Sequence, residues 1–104
     1  MQIQVNTDRN IEGTDDLTAE VESSVRKSLS RFDERITRLE VHLSDLNSEK
    51  SGPDDKRCMI EARMAGRDPV AVSHQAATVD AAVSGATARL RRSLESTIGK
   101  LSEY

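Results

Sequence analysis

Apolar and polar positions alternate at the start of the chain: Ile3 and Val5 are separated by Gln2, Gln4 and Asn6, the two-residue period of a half-buried strand. The polar stretch from Thr7 to Gly13 ends it, and the period then changes. Leu17, Val21, Val25, Leu29 and Phe32 recur every three or four residues, which predicts a helix. Thr14 offers a side-chain oxygen to its first free N–H groups, while Asp15 and Asp16 suit the positive end of its dipole. Alternation returns with Leu39, Val41 and Leu43 set between Glu40, His42 and Ser44, a second strand that begins near Ile36. From Asn47 to Asp55 the chain is a polar connector punctuated by Gly52-Pro53. Beyond it Cys58, Ile60, Ala62 and Met64 alternate with Arg57, Met59, Glu61 and Arg63, a third strand. Gly66-Arg67-Asp68-Pro69 reads as a turn, and Val70 with Val72 as a short fourth strand. The last element is a long helix capped by Thr78, with Val79, Val83, Ala86, Leu90, Leu94, Ile98 and Leu101 on its apolar face.

The order is therefore βαβββα, an α+β fold. Every strand has one apolar and one polar face. A mixed or antiparallel four-stranded sheet, with both helices packed on one face and the other open to water, buries all the apolar faces at once. A chain of 104 residues has the length of one domain, here residues 1–104.

Charge changes the picture. The net charge of −3 argues against nucleic acid if only the sum is considered. Its distribution argues the other way. Arg26, Lys27, Arg31, Arg35 and Arg38 crowd the end of the first helix and its exit, and Arg89, Arg91, Arg92 and Lys100 lie on the last helix. Most acids gather before Val25 and around the middle connector, with only Asp33 and Glu34 set among the first basic group and Glu95 among the second. Lys27, Arg31 and Arg35 form a stripe opposite Val25 and Leu29; on the last helix Arg89 and Arg91 flank Leu90, and Arg92 points away from the core. If the two helices lie side by side, Lys27, Arg31, Arg35, Arg89 and Arg92 are the candidate RNA-binding residues, able to track a ribose-phosphate backbone. The same pattern also describes an ordinary solvated helix face. Arg57 and Arg63 are weaker candidates, because alternation with Glu61 compensates them.

Other chemistries find little support. Single-strand readers stack bases on aromatic rings, and this chain has only Phe32, in a core stripe, and Tyr104. His42, His74 and Cys58 lack metal-ligand spacing, so no metal and no cofactor is expected. Cys58 points inward with Ile60 and reads as an inert core thiol. No nucleophile elbow, phosphate-cradling glycine loop or convergent acid pair is present, so the expectation is a non-enzyme with no small-molecule substrate; Asp15-Asp16 and Asp54-Asp55 fit a helix cap and a solvated loop. No apolar run approaches the roughly 20 residues that span a bilayer. The start Met1-Gln2-Ile3-Gln4-Val5-Asn6 has no secretory character, and a single cysteine suits a reducing compartment; both point to the cytoplasm.

Taken together, the βαβββα order, the start Met1 to Val5, the Phe32-x-x-Arg35-Ile36 exit from the first helix, and the run from Ala81-Ala82-Val83 to Arg89-Leu90-x-Arg92-x-Leu94 resemble the ribosome hibernation promoting factor and ribosome-associated inhibitor A family. The likeness spans almost the whole chain. The family's Lys-Leu-x-Arg-Gln-Leu segment falls on Arg89, Leu90, Arg92, Ser93 and Leu94, keeping both charges and losing the glutamine. Its Asp-Met-Tyr-Ala-Ala-Ile falls on Thr78, Val79, Asp80, Ala81, Ala82 and Val83, where the cap survives and the tyrosine does not. Glu95 stands where a lysine-rich run continues in many relatives. The resemblance is to the short forms, without the C-terminal module by which long forms pair ribosomes. It implies a double-stranded-RNA-binding-like fold on the small ribosomal subunit, contacting its ribosomal RNA near the decoding region, blocking messenger and transfer RNA in idle ribosomes, with a second hibernation factor as a possible partner. The alternative from a different class is a regulatory protein-binding module, like a sigma-factor modulator, acting through its acidic surface or open sheet face.

Overall fold

A computed structural model describes residues 1–8, 11, 13–46 and 55–102, with side chains up to Thr97. Its elements follow the predicted order: β1 (Gln2–Thr7), α1 (Asp15–Ser28), β2 (Ile36–Asp45), β3 (Lys56–Met64), β4 (Val70–Ala76) and α2 (Val79–Ser102). The connector at 47–54, and the side chains of Ile98, Lys100 and Leu101, lie outside what is described.

Both predicted caps form. Leu17 donates its N–H to Thr14 Oγ1 at 3.1 Å, and Ala81 donates to Thr78 Oγ1 at 3.1 Å. The first helix is shorter than its apolar repeat predicts. It stops at Ser28, and Ser30–Phe32 form a 3₁₀ turn in which Phe32 donates to Leu29 O and Arg35 to Phe32 O, each at 2.9 Å. The tighter winding turns Phe32 into the core while reversing the chain toward β2. Arg31 and Arg35 therefore do not extend the stripe along α1: Arg31 is in the turn and Arg35 in the loop after it.

The sheet order is β1-β2-β3-β4, with β1 parallel to β2 and the other two pairings antiparallel. Leu39, Val41 and Leu43 face the helices opposite Ala62, Ile60 and Cys58. Ile36 is out of phase with them by sequence. A register shift between Ile36 and Arg38 leaves Thr37 as an extra residue and returns Ile36 to the buried side, where it is 2% exposed. The fourth strand runs four residues past Val72, to Ala76. α2 covers β3 and β4, α1 covers β1, and the helices touch each other on the same face. Between the layers Val25, Leu29, Leu39, Val41, Ile60, Leu90 and Leu94 are fully buried.

The extra length of β4 has a packing consequence. His74, opposite Cys58, is half-buried on the helix side, and its ring fills the space beside Gly85 of α2: a Cβ there would lie 2.1 Å from the ring. Gly85→Ala should therefore destabilise by about 1–3 kcal/mol through overpacking, although alanine favours a helix by about 1 kcal/mol over glycine. In a His74→Ala background the same substitution should become stabilising. Thermal unfolding of the two single variants and the double variant reads this reversal of sign.

The open face is polar, and most of its charges pair along their own strands; Arg57 is exposed there without an ion pair among the described residues, because Glu61 pairs with Arg63. Glu40 lies opposite Glu61, and Arg38 opposite Arg63, like charges that would repel across the strands. Each glutamate instead pairs along its own strand, Arg38 with Glu40 and Arg63 with Glu61, both at 2.9 Å. At the far hairpin end Lys56 bonds Asp45 and Asp55 at 3.1 Å each, and these hydrogen bonds raise its pKa. Asp55 belongs to this cluster and is buried, not part of a solvated loop.

Candidate nucleic-acid interface

The two helices run in the same direction. Glu20, Val21 and Ser24 of α1 share a cavity of about 120 Å³ with Asp80 and Val83 at the start of α2, and Arg31 just past α1 meets Glu95 far along α2 at 3.0 Å. Parallel helices bring their like ends together. Asp15, Asp16, Glu20 and Asp80 mark the N-terminal end of the layer, whereas Lys27, Arg31, Arg35 and the arginines of α2 lie toward the other. This polarity follows the helix dipoles, which favour acids at the start and bases at the end. Its result, on a molecule of net charge −3, is an end of the helix layer where basic side chains outnumber the exposed acids Asp33, Glu34 and Glu95.

The five sequence-derived candidates fare differently. Lys27, Arg35, Arg89 and Arg92 are exposed and form no ion pair among the described residues. Arg31 is partnered: besides Glu95, it lies over the Phe32 ring at 5.0 Å from the centroid. With side-chain exposures of 66% and 40%, the Arg31–Glu95 pair is a surface ion pair worth about 0.2–1 kcal/mol, weak enough for a phosphate to displace the carboxylate.

Helix geometry divides the arginines of α2. Gly85 faces His74 of β4, and Arg89 follows it by four residues, so Arg89 lies on the flank turned toward the edge strand. Glu95 reaches Arg31, and Arg91 precedes it by four residues, so Arg91 lies on the flank turned toward α1. Leu90 and Leu94 are buried and Arg92 stands nearly opposite them. Arg91 is thus better placed beside Lys27 and Arg31 than Arg89 is. The site assigned from sequence omitted it; helical phase alone put both arginines about 100° from Leu90, and only the position of α1 breaks that symmetry.

Burial pushes the Cys58 thiol up to about 12 and leaves it fully enclosed. It should resist alkylation in the folded protein at pH 8 and react in full once the chain is unfolded in guanidinium, as mass spectrometry can read. Among the described residues no group of three or more His, Cys, Asp and Glu is placed to hold a metal, and no helix is long and apolar enough to cross a membrane.

Helices layered on one side of a four-stranded sheet, with cations gathered toward one end of the helix layer, define a small two-layer α+β module. The chain belongs to the sigma 54 modulation protein / S30EA ribosomal protein family, whose profile matches residues 4–102. Its backbone is similar to the Protein Y N-terminal domain of Thermus thermophilus, at 27% identity and a TM-score of 0.68 over 93% of this chain and 99% of that one. It also resembles a ribosomal subunit interface protein from Coxiella burnetii in fold, at 16% identity and a TM-score of 0.72 over 95% and 99% of the two chains. No curated protein sequence matches it.

Proposed function

We propose that this chain is a ribosome-associated translation inhibitor, a single cytoplasmic ribosome-binding domain that holds small-subunit ribosomal RNA near the decoding region and keeps messenger and transfer RNA out of idle ribosomes. The observation that carries the reading is that Lys27 of α1 and Arg91 and Arg92 of α2 are exposed on one layer of parallel helices and form no ion pair among the described residues, in a member of a family described as ribosomal. The mechanism is occlusion. Lys27, Arg35, Arg89, Arg91 and Arg92 contact phosphates, Arg31 exchanges Glu95 for a phosphate, and the folded body fills the space that transfer RNA requires. It needs no cofactor and no bond-making chemistry.

A salt series tests it. Six phosphate contacts, each releasing about 0.7–0.9 counterion, give a log affinity for isolated small subunits that falls with log salt at a slope of roughly −4 to −5. A slope near zero would replace this reading with an apolar interface to a protein partner.

A further inference from the structure

We propose that the turn between β3 and β4 is a second phosphate-binding point, where Arg35 and Arg67 together hold one phosphodiester of RNA. The inference rests on the ribosomal reading above and carries the contact surface from the helix layer round the end of the sheet.

Arg67 has no place in either basic helix. Strand pairing brings it to Arg35: Ile36 pairs with Met64, so the loop entering β2 and the turn leaving β3 meet at the same end of the sheet. Gly66, at φ 73°, makes a reversal that a residue with a Cβ adopts only under strain, and Arg67 donates its N–H back to Met64 O at 3.3 Å. Arg35 and Arg67 then line one cavity of about 60 Å³ with Met64 and Ala65. Both side chains are exposed, and neither forms an ion pair among the described residues. Two arginines lining one small cavity bring like charges to one place, and their planar donor forks suit phosphate oxygens. A groove of about 680 Å³ runs from Arg67 past Asp68 and Pro69 to Thr97, so the turn and α2 border one surface. Asp68 lines that groove and not the cavity between the arginines.

The test compares wild type, Arg67→Gln and Arg67→Lys for binding to isolated small subunits across a salt series, with thermal unfolding as a check on the fold. Arg67→Gln should weaken binding about tenfold and lower the salt slope by about one, while Arg67→Lys should keep the slope. If wild type binds steeply and Arg67→Gln matches it within about twofold at the same slope, the turn makes no contact and this inference fails alone. If wild type itself does not bind, the ribosomal reading fails first. A site built for a free anion would leave subunit binding untouched and instead give Arg67-dependent thermal stabilisation by inorganic phosphate, which overturns the assignment to RNA.

Discussion

Replacing Lys27, Arg91 and Arg92 together by glutamate is expected to abolish co-sedimentation with small subunits while leaving the fold in place. All three side chains are exposed and make no ion pair among the described residues, so their removal breaks no ion pair there. The cost to stability comes mainly from Lys27→Glu, which sets a negative charge beside the negative end of the α1 dipole, about 0.3–1 kcal/mol. The cost to binding is much larger. Each lost charge-assisted contact is worth roughly 1.5–3 kcal/mol, so three reach at least a thousandfold in affinity, and the salt slope should fall by about 2–3. Arg89→Glu alone should do less than Arg91→Glu alone, because the flank carrying Arg89 faces the edge strand and not the neighbouring helix. Equal losses for the two would show that the flank of α2 turned toward α1 has no special part in binding.

Leu90→Ala is expected to produce, with Leu94→Ala, the largest loss of stability among single substitutions in α2. Its side chain is fully buried between exposed Arg89 and Arg91, and truncation leaves a cavity that costs about 2–5 kcal/mol. For a domain of this size that is on the order of a 10–30 °C fall in Tm, out of a total stability of about 5–15 kcal/mol. Arg91→Ala, one residue away, should stay within about 0.5 kcal/mol. Circular dichroism during heating distinguishes them, and a Leu90→Ala loss below about 1 kcal/mol would be incompatible with the way α2 lies on β3 and β4.

The contrast between these neighbours shows where local reading succeeds. Whether a side chain at position 90 or 91 meets the core follows from helical phase, and Val21, Val25, Leu39, Val41, Ile60 and Leu94 are all buried as their spacing predicts. The caps at Thr14 and Thr78 depend on residues three positions apart, so they too are legible. The end of α1 is not. Leu29 and Phe32 keep helical spacing, yet the chain tightens after Ser28 because Phe32 and Ile36 must both enter the core within a short reversal. The shift at Ile36 and the reach of β4 to His74 likewise answer to partners on other strands.

Sequence by itself determined the element order and the apolar face of each element, hence the two-layer architecture and the existence of two basic segments. Tertiary structure alone decided how those segments combine: that the helices run parallel, that Arg31 finds Glu95 at a separation of 64 residues, that Arg91 looks toward α1, and that Arg67 joins Arg35. The physical reason is range. Burial follows from periodicity within a few turns of chain, whereas a charge is neutralised or left available by whatever stands within a few ångströms of it after folding.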